Sequence, residues 1–441
     1  MERYDRYKDS GIEWIGEIPE HWIVAKIKYT STLSGRIGWQ GLTSNEYQST
    51  GPYLITGVNF SDGSIDWESC VHIPEARWLE ATQIQIENGD LLITKDGTVG
   101  KVAIVDNLKD KASLNSGVML IRANLKSGIA YLNKYLFYLL QSDVFWSWFS
   151  EINSGNSTII HLYQGSFENF SFPIPPLSEQ YKISDFISCK TSEIDSLIWR
   201  TEKFIALLQE YRKSVITEAV TKGLDPNVPM KDSGVEWIGE IPKTWGVFRN
   251  KLLFKLRDER NTQPLSKVNL LSLYTDLGVV QHKDLTKTTG NKATNANGYK
   301  VVYPSDIVVN IILCWMGAIG VSAYSGVVSP AYDVYSAKRL INPKYYHYLF
   351  RTKQFGDECY LFGRGIMQMR WRVYSDQFLN IKVPCPDYST QCLIVDYLDQ
   401  KTSEIDSLIE KKKQLVEKLQ EYRRSLISEC VTGKVKVPGV E

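Results

Sequence analysis

The sequence predicts an α+β protein: two mainly-β domains joined by two long helices that form an antiparallel coiled coil, with a pseudo-two-fold internal duplication. Three observations predict it. Near-identical segments recur far apart in the chain. Two unbroken heptad runs coincide with the second half of each repeat. The stretches between them are rich in β-branched and aromatic residues with frequent Gly turns.

The repeat comes first. Residues 8–22 read KDSGIEWIGEIPEHW and residues 231–245 read KDSGVEWIGEIPKTW, an offset of 223. KTSEIDSLI begins at both Lys190 and Lys401, an offset of 211, and QEYRKSVITEAVT from Gln209 matches QEYRRSLISECVT from Gln420. A period this long is not a solenoid repeat. It is a duplicated domain pair. The segments between these anchors, 23–165 and 246–376, share only short echoes such as GTVG at Gly97 and GAIG at Gly317. A common frame around two unlike inserts implies one scaffold carrying two different readers.

The helices follow. After Pro173, Pro175 and Pro176, Ser178 can cap a helix running to about Lys222, where Gly223 can stop it. At ~1.5 Å per residue, about 45 residues reach roughly 67 Å. Ile187, Ile194, Thr201, Leu208 and Val215 fall at one seam position, and Leu197, Phe204 and Tyr211 at the other, with Lys190 and Glu218 as polar exceptions. The second copy has Leu398, Ile405, Lys412, Leu419 and Leu426, then Leu408, Leu415 and Tyr422. The boundaries this implies are a first β domain over 1–176, helices over 177–223 and 388–433, a second β domain over 224–387, and a tail over 434–441.

Each insert should open with strands and hairpins, as in YLITGVNFSDGSIDW from Tyr53 and VNLLSLYTDLGVVQH from Val268. LLITKDGTVGKVAIV (Leu91–Val105) and VVNIILCWMGAIGV (Val308–Val321) read as buried strands around a Gly turn. Each insert should close on a helix, from Tyr131 and from Pro343.

Bulk composition excludes several classes. Lys+Arg number 51 and Asp+Glu 50, so the chain is not a polybasic packaging protein. At 43 % hydrophobic residues it is not a disordered tail. Seven scattered cysteines without a C-x-x-C pair argue against disulfides or zinc, and for a reduced, cytoplasmic setting. The charged start MERYDRYKDSG has no apolar core, so no secretory signal and no membrane association are expected. Charge separates the inserts: residues 23–165 hold 11 Lys+Arg against 13 Asp+Glu, and residues 246–378 hold 18 against 9. A basic domain with interleaved aromatics points to nucleic acid.

No active site is expected. The chain has no Asn/Asp-Pro-Pro-aromatic loop for amino methylation, no phosphate-binding GxxxxGK[ST] loop, and five isolated histidines. Base readout needs Arg, Lys, Asn, Gln, Ser and Thr on loops. In the first insert the candidates are Arg36, Gln40, Thr43, Asn45 and Tyr47; Lys95; Asn115 and Ser116; and Asn156, Ser157, Thr158 and His161. In the second they are Arg257, Arg260, Asn261, Lys283, Asn291, Lys292, Arg364, Gln368, Arg370 and Arg372, with FGRGIMQMRWR the densest cluster. Trp39 and Trp315 read as core residues rather than base-stackers.

These segments resemble the specificity subunit of type I restriction-modification systems. The duplicated KDSG(I/V)EWIGEIP, the lead-in FPIPPLSEQ (Phe172–Gln180), KTSEIDSLI, QEYRKSVITEAVTKG and the closing EYRRSLISECVTGKVKV carry the resemblance over essentially the whole chain. GDLLITKDGTVGKVAIV with LNSGVMLIR resembles one of that family's target-recognition domains. The second lead-in, VPCPDYSTQ, departs from the pattern at Asp387, Tyr388 and Thr390. The resemblance implies a non-catalytic subunit that reads an asymmetric, bipartite double-stranded DNA site, with the helices as a spacer. It also implies two methyltransferase (modification) subunits and motor-nuclease (restriction) subunits as partners. S-adenosylmethionine, ATP and Mg would be bound on those partners and no cofactor or metal on this chain. The alternative class is a coiled-coil scaffold or adaptor whose β domains bind proteins; the basic second insert argues against it.

Overall fold

The computed structural model describes residues 2–154, 160–275, 277–282, 295–365 and 371–440. The chain divides into two compact units, residues 1–202 with 414–441, and residues 203–413.

Each unit is built on a four-stranded antiparallel sheet. In the first the strands are β1 (Ser31–Gly35), β2 (Leu91–Thr94), β3 (Val102–Ile104) and β4 (Val118–Ala123), in the order β3-β2-β4-β1. Alternation divides this sheet between two cores. Leu91 and Ile93 of β2, with Met119 and Ile121 of β4, face one cluster; Leu92, Val118 and Leu120 face another. Both faces are covered, which is why Leu91, Leu92 and Ile93 are apolar at every step rather than every second one. The first cluster is closed by α1 (Asn133–Gln141) and α2 (Asp143–Ile152). The expected single helix from Tyr131 is thus two, broken at Ser142, whose ψ of 167° is extended. Then α3 runs from Leu177 to Lys222 without interruption.

The second unit repeats the plan. Its strands are β5 (Phe254–Leu256), β6 (Ile307–Asn310), β7 (Ile319–Val321) and β8 (Tyr332–Ala337), ordered β5-β8-β6-β7. Ile307 and Val309 face one core, and Val308 and Val334 the other. Here too the closing helix is broken in two, α4 (Pro343–Phe350) and α5 (Lys353–Phe362), because Thr352 caps a new start by accepting from Phe355 N. The last helix, α6, spans Tyr388–Val431.

The helix ends have distinct causes. Helix α3 begins at Leu177, directly after Pro176, so Ser178 lies inside it rather than capping it. Its end is as expected: Gly223 turns left-handed at φ +83° while its N–H reaches Ala219 O. At the start of α6, Asp387 accepts from Thr390 N at 2.8 Å and from Thr390 Oγ1 at 2.9 Å. The departure from the first lead-in is therefore a replacement cap.

Within each unit, segments of α3 and α6 run antiparallel. In the first, the Tyr135 hydroxyl donates both to Pro173 O, just ahead of α3, and to Val431 O at the end of α6, and Asp195 pairs with Arg423 at 2.9 Å. In the second, the Lys412 ammonium sits over the Phe204 ring and Arg212 pairs with Asp406 at 2.9 Å. The two ion pairs are one pair repeated by the 211-residue offset. The seam itself differs from expectation. Ile187, Ile194, Thr201 and Val215 are buried, as are Leu398, Ile405 and Leu426. The other expected row faces out: Leu197, Phe204 and Tyr211, with Leu408 and Tyr422, are all exposed. The row that replaces it lies one residue later, through Thr191, Ile198 and Ala219 on α3 and Thr402, Ile409 and Cys430 on α6.

Candidate DNA-reading surface

In the first unit, β2 and β1 finish, and β4 starts, at the same end of the sheet: Thr94 lies opposite Val118, and Gly35 opposite Met119. Three loops meet there. Lys95 donates its N–H to Gly117 O at 2.8 Å and accepts at its own carbonyl from Leu162 N at 3.0 Å. Its ammonium lies beside Gly35. Asp96 pairs with His161, whose ring rests on Tyr163 at 4.3 Å. Asn115 Oδ1 accepts from the Ser116 hydroxyl at 2.9 Å. The turn after β2 is fastened by Thr94, whose hydroxyl accepts from Lys101 N at 2.9 Å. It closes at Gly100 (φ +84°), where a Cβ would meet Trp146 at 2.5 Å, so no other residue fits. Lys95, Asn115, Ser116 and His161 are thus brought to one sheet end, with hydrogen-bonding groups suited to base edges or phosphates. Asp96, not anticipated from sequence, belongs with them; its place in the KDG turn was the available signal.

Four expected readers are used by the fold instead. Arg36 is buried, with Nε donating to Leu114 O at 2.7 Å and Nη2 to Ser113 Oγ at 2.9 Å. Burial first, and Arg77 second, lower its pKa. Gln40 is buried, donating to Glu80 O and accepting from Gln83 Nε2, each at 2.8 Å. Asn261 is buried, its amide bonded to Ala296 O at 2.8 Å and Gln263 O at 2.9 Å. Arg257 clamps Asp306 with two bonds, 2.9 and 3.1 Å, an arrangement that raises its pKa. Its counterpart in the first unit is Arg122 on Asp90, at 2.7 and 2.6 Å. The same carboxylate ahead of the same strand is held by an arginine from a different position, which marks the clamp as part of the frame. In each case the chain after β1 or β5 folds back onto its own unit, where partners distant in sequence take up the side chain.

The remaining residues of the first loop form a separate patch. Thr43 and Glu46 make a capping box, and Arg77 of the short helix Glu75–Glu80 holds Glu46 at 2.9 Å. Asn45 on that turn is exposed and Tyr47 half-buried. Asn156, Ser157, Thr158, Lys283, Asn291, Lys292, Gln368 and Arg370 lie outside the described residues, as does the side chain of Trp39.

In the second unit the corresponding sheet end is formed by Asn310 of β6 opposite Tyr332 of β8. Val373 N reaches Ile311 O at 2.8 Å, the same link that Leu162 makes to Lys95 in the first unit. It brings Arg364 and Arg372 to this end. They pair through their backbones at 2.9 and 3.0 Å, and both side chains are exposed. Arg260 is exposed but engaged by Asp258 at 2.9 Å. Among the described residues, no group of three His, Cys, Asp or Glu is arranged to hold a metal ion, and no helix is long and apolar enough to cross a membrane.

The family profile for the type I restriction modification DNA specificity domain matches residues 78–197 and 242–418, more than half of the chain and one match per copy. The chain belongs to that family. This specificity chain is 25 % identical to a putative type I restriction enzyme MjaX specificity subunit from Methanocaldococcus jannaschii, over 96 % of each chain. It is 24 % identical to the MjaVIII specificity subunit of the same organism, over 95 % of this chain and 94 % of that one. In fold it is similar to an HsdS subunit from Thermoanaerobacter tengcongensis, with a TM-score of 0.54, 15 % identity and coverage of 95 % and 98 % of the two chains. A chain from a structural study of type I complex assembly and conformational transition gives a TM-score of 0.65 at 15 % identity, covering 95 % and 99 %. The family's task is DNA specificity, so the two sheet ends belong to a chain that recognises a target rather than one that catalyses.

Proposed function

We infer that this chain reads an asymmetric, bipartite DNA site, each half through the sheet end of one copy, with the readers within 1–176 and 224–387. The observation that carries this is the pairing of one fold with two unlike ends: Lys95, Asn115, Ser116 and His161 on one, Arg364 and Arg372 on the other. Identical frames with different surface chemistry recognise different sequences. Asn156, Ser157, Thr158, Lys283, Asn291, Lys292, Gln368 and Arg370, outside the described residues, are proposed as further DNA contacts, as are Thr43, Asn45 and Tyr47 of the separate patch and Arg260. Arg36, Gln40, Arg257 and Asn261 hold the frame. Two methyltransferase subunits with S-adenosylmethionine, and motor-nuclease subunits with ATP and Mg, complete the assembly in the cytoplasm.

The test is methylation mapping of genomes carrying the system with Lys95→Ala or Arg372→Ala. Each variant should relax or lose one half-sequence and keep the other. A direct contact to guanine should cost roughly 1–3 kcal/mol at that half, whereas a phosphate contact should weaken all sequences alike. Unchanged methylation in both variants would remove the reader assignment.

A further inference from the structure

The two ends differ in more than charge. After β2 the first copy turns through Lys95, Asp96 and Thr98. After β6 the second turns through Ile311, Ile312, Leu313, Cys314, Trp315 and Met316. This second turn is a single 3-10 turn over Cys314–Met316, ended by Gly317 in the left-handed region. Cys314 points into the core, but Leu313 is 39 % and Met316 54 % exposed. Trp315 is half-buried and holds the turn: its Nε1 donates to Ile312 O at 2.9 Å, and its edge meets Tyr360 at 5.5 Å. Tyr360 in turn stacks on Trp371 at 5.0 Å, next to Arg372.

Exposed apolar side chains at a sheet end to which Arg364 and Arg372 are also brought match one surface. The floor of the DNA major groove presents thymine 5-methyl groups between acceptor atoms, flanked by phosphates. Arginines meet the guanine acceptors and phosphates; an unbranched, polarisable methionine shapes itself to a methyl group. We propose that the second copy reads its half-site in part through thymine methyl groups packed against Met316 and Leu313, whereas the first copy reads through polar contacts. This rests on the reading that the sheet ends face DNA, and it adds the class of base feature that the second one recognises.

The experiment uses the full chain assembled with its methyltransferase subunits and duplexes carrying the mapped site. Each thymine in the half-site altered by Arg364→Ala or Arg372→Ala is replaced in turn by deoxyuridine, which removes only the methyl group. At least one replacement should weaken binding about four-fold, the effect of losing one buried methyl. Met316→Ala should bind the thymine and deoxyuridine duplexes alike, and Met316→Leu should restore the preference. Replacements in the other half should be indifferent to residue 316. A half-site without an A·T pair, silence at every thymine, or a preference that survives in Met316→Ala with Leu313→Ala overturns the proposal. If Arg364→Ala and Arg372→Ala change neither half, it is the placement of the reader that fails, not the methyl contact alone.

Discussion

Arginine in this chain is divided between frame and surface by what surrounds each guanidinium. Arg36→Ala would leave Leu114 O and Ser113 Oγ buried without their donor, and should cost about 2–3 kcal/mol of stability in chemical denaturation. Arg372→Ala removes an exposed side chain, should change stability by less than about 0.5 kcal/mol, and should act on target sequence alone. The residue type was legible in the sequence and the role was not, because burial depends on neighbours such as Ala296, which closes over Asn261 from 35 positions away. His347 gives a second prediction at this scale. It is packed on most sides by its unit, and its Nδ1 accepts from Val321 N at 3.3 Å. Burial, followed by the charges of Arg351 and Lys344, lowers its pKa from 6.5 to about 3. The folded state therefore binds fewer protons than the unfolded state between those values. The associated stability is complete above the unfolded pKa and is lost as pH falls toward the folded one. Between pH 7 and pH 5 the loss should be about 2 kcal/mol, and His347→Gln should flatten that slope in denaturation curves at the two pH values.

At the scale of the element, the helices show what periodicity can and cannot tell. The period and the length were legible: α3 and α6 are unbroken and keep the heptad. The phase of one row was not. Leu197, Phe204 and Tyr211 form an apolar heptad beside the true one through Thr191, Ile198 and Ala219, and the two rows have the same period. Only packing against α6 selects between them, and it accepts a threonine over a leucine. Ile194→Ala and Ile405→Ala, both in the buried row, should each cost about 2–4 kcal/mol. Leu197→Ala, at 45 % exposure, should cost less than about 0.5 kcal/mol. Equal losses at Ile194 and Leu197, measured by thermal and chemical unfolding, would show that the seam is wrongly placed. The ion pairs Asp195–Arg423 and Arg212–Asp406 are too exposed to add much energy; their repetition at one offset serves register.

For the whole molecule, the helical spacer that the family resemblance implies is tested by changing helix length. Inserting one heptad after Glu202 alone leaves the partner helix seven residues short and should destabilise the protein. A matching heptad after Lys413 restores the seam, since the two positions are equivalent by the 211-residue repeat. The helices then grow by about 10.5 Å. At ~3.4 Å per base pair that is roughly three base pairs, and about 100° of rotation at 10–10.5 base pairs per turn. The doubly extended protein should lose its original site and direct methylation to sites with a longer spacer and the same two half-sequences. An unchanged spacer would refute the helical ruler; altered half-sequences would show that the readers lie elsewhere.

What the sequence determined by itself is whatever repetition and periodicity encode: the duplication, the two helices and their stops, the β-rich inserts, and the contrast in charge between them. Those signals are local, or recur within the chain, and so can be read along one dimension. The tertiary structure alone decided which of two apolar heptads is the seam and that each closing helix breaks at Ser142 or Thr352. It also decided which candidate readers the frame consumes. The break at Thr352 is a local cap that periodicity does not show; the seam and the consumed readers depend on atoms distant in sequence competing for the same donor, acceptor or buried face. The link from Leu162 to Lys95, and from Val373 to Ile311, is the clearest instance: one backbone hydrogen bond in each copy gathers loops some 60 residues apart onto a single sheet end, and no pattern in either loop announces it.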